Sequence, residues 1–376
     1  MTTKVNIVKN AACLTTIPMC VLVLFSCGNY LTKATKDDVQ NISMTVIPND
    51  HITDEYTRYY RVAIYLAGSG KVTIDWGDGK VKTKKLRISS SITSYRYIEK
   101  HCIFHDYRDL SAHNIKISGS NITHLQMVTS RNLTSLDVSK VTTLKILDCS
   151  WSHLTELDLS ANIELTELDC SINQLTELNL SANTALTELD CSSNKLIDLN
   201  LSANIALTKL RCEYNLLTKL DLNTNTALTH LYCWNNQLTE LDLSANITLT
   251  NLYCLNNPLT KLNLSSNTAL IDLDCHKNQL TELNLSANTA LTNLRCSYNQ
   301  LTELDLSTNT SLTSLDCSFN KLSTAALNAL FETLHNYPLK YKRISIGNNP
   351  GGVYDCNRSI AEEKGWRVNL SYVFIE

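Results

Sequence analysis

Glycine and proline are scarce in this chain: 10 and 5 among 376 residues. That excludes collagen-like and Gly/Pro-rich low-complexity sequences. Neither sign of charge is in surplus, with 33 Lys and Arg against 36 Asp and Glu. Without a basic excess to displace counterions from phosphates, nucleic acid is excluded as a bulk electrostatic partner. Aromatic residues make up only 7%, but the hydrophobic share of 43% places the chain among globular rather than disordered sequences. Beyond residue 26 no stretch is long and apolar enough to span a bilayer. The 14 Cys fall well short of the density of a small disulfide scaffold. The length corresponds to two or three domains of about 150 residues each.

The N-terminus reads as an address. Lys4 and Lys9 precede an apolar stretch, Ala11 to Ser26, and Cys27 follows it. A basic region before a short apolar one describes a secretory signal, and the stretch is shorter than the roughly 20 residues of a membrane-spanning helix. Leu24-Phe25-Ser26-Cys27 resembles a bacterial lipobox. The resemblance implies a signal peptide over 1–26, lipidation of Cys27 and export. Residues 27–43 are mostly polar and read as a tether.

A repeat dominates the rest of the chain. Cys149, Cys170, Cys191, Cys212, Cys233, Cys254, Cys275, Cys296 and Cys317 are spaced by 21 residues without an error. The unit, exemplified by LTELDCSINQLTELNLSANTA from Leu165, contains two half-units, LxxLxCxxNx and LxxLxLxxNxx. In each, the apolar fourth and sixth positions alternate with polar ones, as in a strand with one buried face. A segment of this length cannot bury that face alone, so the coils must stack. At about 4.8 Å per strand, some ten coils make a stack about 45 Å long. The recurring Asn, such as Asn173 and Asn183, supply amides for turn backbone leaving each strand. In the first two coils Ser130 and Ser152 stand where the first Asn belongs.

The unit resembles leucine-rich repeats, most closely the 21-residue nested type called IRREKO. The resemblance implies a mainly β solenoid of stacked parallel strands, expected over 122–322. Caps are needed to cover its raw strand edges. Over 323–376 the sequence offers a short α/β cap: an amphipathic helix from Ser323 to His335, a strand at Tyr341 to Ile346 and a helix at Cys356 to Lys364. Residues 44–121 differ, with strand-like runs at Tyr60 to Leu66, Lys71 to Asp75 and Ile115 to Ser118. The turn Trp76-Gly77-Asp78-Gly79, with His105 and Tyr107, resembles the signature of PKD-like β-sandwich modules. Such a module implies a spacer or packing partner.

Motifs for chemistry are few. Gly68-Ser69-Gly70-Lys71 fails as a phosphate loop, because Val72 follows the Lys and Tyr65 stands where the first Gly belongs. His101, Cys102, His105 and His113 read as structural rather than as a metal site. The nine repeat Cys fall on the inward sixth position, with no acid or His in register for zinc. Neighbouring thiols on parallel strands are also poorly placed for a disulfide. No catalytic set, cofactor or metal site is expected, and the chain is not read as an enzyme.

Comparing the coils with one another singles out a site. The second half-unit hardly changes, whereas the first varies at outward positions three, five and seven and at the turn residue, position eight. Position five runs Asp148, Asp169, Asp190, Arg211, Tyr232, Tyr253, Asp274, Arg295, Asp316. Position seven changes from Ser to Glu213, Trp234, Leu255 and His276 in the middle coils. The candidate ligand-binding residues are therefore Arg211, Tyr214, His230, Tyr232, Trp234, Tyr253, Leu255, Asp274 and His276. A local apolar-aromatic patch bordered by charges is how interaction sites look. The whole resembles surface leucine-rich repeat lipoproteins of gut Bacteroidetes and, more loosely, BspA-type adhesins and internalins. That implies binding of an extracellular or cell-surface protein, with membrane contact through the lipid anchor at the outer membrane. A polysaccharide ligand on the Tyr/Trp platform is the alternative.

Overall fold

From the second coil on, each first half-unit yields a three-residue strand over its positions three to five, and main-chain bonds between coils continue through positions six and eight. A computed structural model describes residues 39–47, 53–54, 57–58, 60–87, 102–128, 133–351 and 355–370. The proposed signal, lipobox Cys27 and His101 lie outside the described residues. The chain forms β1 (Gln40–Val46), β2 (Thr53–Asp54), β3 (Thr57–Arg58), β4 (Tyr60–Gly68), β5 (Lys71–Asp75), β6 (Val81–Lys85), β7 (Ile103–Tyr107), β8 (His113–Gly119), β9 (Ile122–Met127) and β10 (Leu133–Asp137). The repeat strands come next: β11 (Ile146–Asp148), β12 (Glu167–Asp169), β13 (Glu188–Asp190), β14 (Lys209–Arg211) and β15 (His230–Tyr232). They continue as β16 (Asn251–Tyr253), β17 (Asp272–Asp274), β18 (Asn293–Arg295) and β19 (Ser314–Asp316).

From β9 onward the solenoid strands pair in parallel, and equal repeat positions face one another: Asp169 opposes Asp190, and Tyr232 opposes Tyr253. The mainly β leucine-rich repeat solenoid expected from the sequence is thus the observed fold. Leu165, Leu168 and Cys170 of the first half-unit and Leu175, Leu178 and Leu180 of the second are buried, and their counterparts form one core down the stack. All nine repeat Cys are fully buried and free, and burial pushes their thiols above the ordinary range.

Two Asn columns hold the turns. Asn173 donates through Nδ2 to the carbonyls of Cys149, Cys170 and Ser171, while its Oδ1 accepts from Leu154 N at 2.9 Å. Asn183 donates to the Leu159 and Asn162 carbonyls, and its buried Oδ1 has no partner. Ser152, in an Asn position, retains one such bond by donating to the Ser150 carbonyl at 3.2 Å. Position eight, just before the first Asn, is left-handed in each coil from Trp151 to Phe319, with φ of 52–54°.

The N-terminal module is welded to the first coil rather than placed before it. Strands β4 and β7 extend the solenoid sheet, with β4 antiparallel to β9. The other half of the sandwich is the sheet β10-β1-β8-β5-β6, in which β10 of the first coil pairs antiparallel with β1. Both half-units of the first coil thereby have their strand edges paired, and the end of the solenoid sheet moves from the coil to β7. Strand β1 starts at Gln40, so the segment expected as tether through residue 43 is already in the sheet. Gln40 Oε1 accepts from Ile122 N and its Nε2 donates to Thr143 Oγ1, both at 2.7 Å, tying the strand to the coil.

The Trp76 to Gly79 segment turns β5 into β6. Gly77 has a φ of 78°, and a Cβ there would lie 2.6 Å from the Asn114 carbonyl. Buried Trp76 stacks on His105 at 4.6 Å, and Tyr107 donates to the Trp76 carbonyl at 2.7 Å. His105 bonds Asp78, and His113 stacks on Tyr107 and bonds Asp109. At the far end, helix α1 (Thr324–Thr333), capped by Ser323, buries Leu327, Leu330 and Phe331. Strands β20 (Arg343–Ser345) and β21 (Arg367–Asn369) continue the parallel sheet, and helix α2 (Ser359–Glu363) lies between them in sequence. Strand β21 was not expected from the sequence.

Candidate functional site

Position five lies between the buried fourth and sixth positions, so alternation turns its side chain to the outer face of the sheet. The parallel register puts Arg211, Tyr232, Tyr253 and Asp274 in one row across four coils. The Tyr232 and Tyr253 rings stack at 5.1 Å between centroids, tilted by 18°, close to the strand spacing. Trp234, two residues along, meets both rings edge-on, at 5.8 Å and 6.3 Å. Edge-to-face and offset-stacked contacts of this kind are the favoured aromatic geometries. Tyr214 stands 55% exposed on its left-handed turn and meets Trp234 edge-on at 6.5 Å. His230 lies 6.4 Å from Tyr232 on the same strand, and the Arg211 guanidinium sits 5.2 Å over the Tyr232 ring. Leu255 occupies the seventh position one coil beyond Trp234 and is half-buried.

The charges beside the aromatics are more enclosed than a rim. Glu213 is only 3% exposed; its Oε1 accepts from Arg211 at 2.9 Å, and Arg211 also pairs with Asp190 at 3.3 Å. Burial raises the Glu213 pKa against the lowering effect of Arg211. Asp274, also 3% exposed, bonds His276 Nδ1 at 2.6 Å and lies 3.6 Å from Arg295. Asp274 therefore orients His276 and Arg295 rather than facing solvent. Tyr253 donates to Asp272 Oδ2 at 2.9 Å, and burial together with that bond pushes the phenol up to about 12.

The nine expected residues thus converge on one sheet face, on which Asp274 is buried against its neighbours His276 and Arg295. Asp272, which fixes the Tyr253 hydroxyl, was missed because position three was not tied to its neighbour in the next coil. A second aromatic pair was also missed: Tyr298 and Phe319 stack at 4.0 Å, with Lys277 5.9 Å over Tyr298. All three occupy position eight, and their recurrence at one register was the available signal.

Towards the N-terminus the same face turns acidic. Asp148, Asp169 and Asp190 stand in a row, each accepting from the Ser two residues on, at 2.6–2.7 Å. Burial, with Asp148 and Asp190 on either side, pushes Asp169 up to about 7. Burial also raises Asp148 and Glu167, the latter helped by Glu188. Among the described residues no group of His, Cys, Asp and Glu is arranged to hold a metal ion.

No known family profile matches the chain, and no curated protein matches it. Solved structures do. The functional domain of InlJ from Listeria monocytogenes, described as including a cysteine ladder, is 39% identical over 61% of this chain, with a TM-score of 0.56. The chain spans about half of that domain, 49%. The internalin InlF from Listeria monocytogenes is 22% identical, covering 60% of this chain and 74% of its own, with a TM-score of 0.49. A structure of the octameric complex of latrophilin 3, Unc5D and the FLRT2 leucine-rich repeat is 19% identical, covering 61% and 77%, with a TM-score of 0.50. This last likeness concerns the fold alone.

Proposed function

We propose that this chain is a non-catalytic, adhesin-like binding protein that recognises a protein partner through the sheet face of its middle coils. The observation that carries this reading is the Tyr232–Trp234–Tyr253 cluster. Other coils place Asp and Ser in the same registers, so the solenoid does not need aromatics there. Half-buried aromatic side chains beside a guanidinium are the residues that dominate protein interfaces. The repeats are of the IRREKO type, and the N-terminal sandwich is a PKD-like module that caps them. The chain is exported and lipid-anchored through Cys27 to the outer membrane, displayed at the cell surface or facing the periplasm, as in Bacteroidetes lipoproteins. The likeness to the InlJ domain, which includes a cysteine ladder, supports the repeat scaffold on which this reading rests.

The test replaces Tyr232→Asp, Trp234→Ser and Tyr253→Asp together, importing residues that other coils carry. The chain is screened against extracellular-matrix proteins with a glycan array in parallel. Binding to the captured protein should fall at least about thirtyfold, the equivalent of roughly 2 kcal/mol. Glu240→Ala and Lys261→Ala, on the constant half-unit, should change nothing. A triple variant that melts normally and binds as tightly as wild type refutes the site. Tight binding to a glycan alone refutes the protein partner.

A further inference from the structure

The acidic row and the aromatic cluster share one sheet face, and their combination restricts the partner. Asp148, Glu167 and Asp169 have no cation within ion-pair distance among the described residues. The nearby cations are engaged: Lys209 pairs with Glu188 at 3.5 Å, and Arg211 is shared by Asp190 and Glu213. The parallel register holds the like carboxylates of Asp148, Asp169 and Asp190 one strand apart, a repulsive arrangement. Glu213, where the row meets the aromatics, supplies an independent sign. It is more than nine-tenths buried, at 3% exposure; Arg211 holds its Oε1, and its Oε2 has no hydrogen-bond partner.

We propose that the partner lies on this face as an extended segment whose Lys or Arg side chains meet the Asp148–Glu167–Asp169 row while an apolar or aromatic side chain seats on Tyr232, Trp234 and Tyr253. The inference rests on the sheet face being the binding surface. Asp169, Asp190, Arg211 and Tyr232 are successive partners in register, so three strand steps separate row from cluster. At about 4.8 Å per step that is about 14 Å, which an extended chain rising about 3.4 Å per residue covers in about four residues. The recognised pattern is therefore a basic residue about four positions from an apolar or aromatic one. Cations above the row relieve the repulsion among the carboxylates. Charge complementarity of this kind chiefly sets partner choice and encounter rate, and the aromatics supply most of the affinity.

Binding a cation favours the ionised form of Asp169, so affinity should rise with pH through about 7. The groups facing Asp169 are Asp148 and Asp190 on the two adjoining strands and Ser171 on its own coil, with Glu167 on its own strand, Glu188 on the adjoining one, and Lys209 and Arg211 one strand further. His230 and His276 are the titratable groups beside the cluster. The pH effect is accordingly read as the difference between wild type and Asp169→Asn.

The test pans a displayed random dodecapeptide library at pH 8 on the mature chain. The same panning is run on an Asp148→Asn, Glu167→Gln, Asp169→Asn variant and on the aromatic triple variant. Wild type should enrich peptides with Lys or Arg about four residues from an aromatic or aliphatic one. Such a peptide, resynthesised, should lose at least about tenfold in affinity on the neutralised variant. Its wild-type affinity should weaken from pH 8 to pH 6 more than that of Asp169→Asn. Neutral or acidic peptides that depend on the aromatics overturn this inference and leave the site standing. Peptides that bind the aromatic triple variant unchanged overturn the site itself. An empty selection, or basic peptides indifferent to the neutralised row, overturns the inference.

Discussion

Asn215 and Asn204 are the same residue type, both buried, one from each Asn column, and the structure assigns them different work. Asn215 Oδ1 accepts from the main-chain N–H of Leu196 at 3.0 Å, and its Nδ2 donates to the Cys191, Cys212 and Glu213 carbonyls. Asn204 donates to the Leu180 and Asn183 carbonyls, but its Oδ1 has no partner. In Asn204→Ala both carbonyls keep another donor, Asn183 N at 3.0 Å and Leu186 N at 3.2 Å. That change also removes an unsatisfied oxygen. In Asn215→Ala the Cys191 carbonyl keeps the Asn194 amide, but the buried Leu196 N–H loses its acceptor. An orphaned buried donor costs about 1–3 kcal/mol, whereas an ordinary hydrogen bond contributes about 1 kcal/mol net. The cavity left by an Asn side chain is common to both, so it cancels in the comparison. Asn215→Ala should therefore be about 2 kcal/mol more destabilising than Asn204→Ala. Urea unfolding of each variant, followed by far-ultraviolet circular dichroism, reads the difference from the midpoints at equal slope. If Asn204→Ala costs as much as Asn215→Ala, the assignment of the first column to main-chain N–H satisfaction is wrong.

The nine repeat thiols should react in thiol titration of the denatured, unreduced protein, since each is buried within its own coil. Four disulfides among Cys149 to Cys317 would refute that. Asp169, whose folded pKa is raised to about 7 against an unfolded value near 3.9, favours the folded state when protonated. Wild-type stability should fall as pH rises from about 4 to 7, and Asp169→Asn should be more stabilising at pH 8 than at pH 5; equal effects at both would contradict the burial. Cys27→Ala should release soluble protein or leave an uncleaved precursor in detergent partitioning. A processed, lipid-modified Cys27→Ala chain would exclude the lipobox.

Periodicity alone determined most of this protein. The error-free spacing of nine Cys, the alternation at positions four and six and the recurring Asn specify a stacked parallel solenoid, because each pattern repeats a local requirement in every coil. The aromatic row was equally legible: in a register of 21 residues, sequence spacing translates directly into position on the sheet. The N-terminal junction was not. Pairing of β4 with β9 and of β1 with β10 joins segments far apart in sequence, and no local pattern records which distant strand will cover a raw edge. The same holds for charge. Glu213 and Asp274 look like exposed border residues in the sequence, and only packing against neighbouring coils decides that they are buried and bound internally. Tertiary structure thus decided how the solenoid ends and which of its outward charges remain available to a partner.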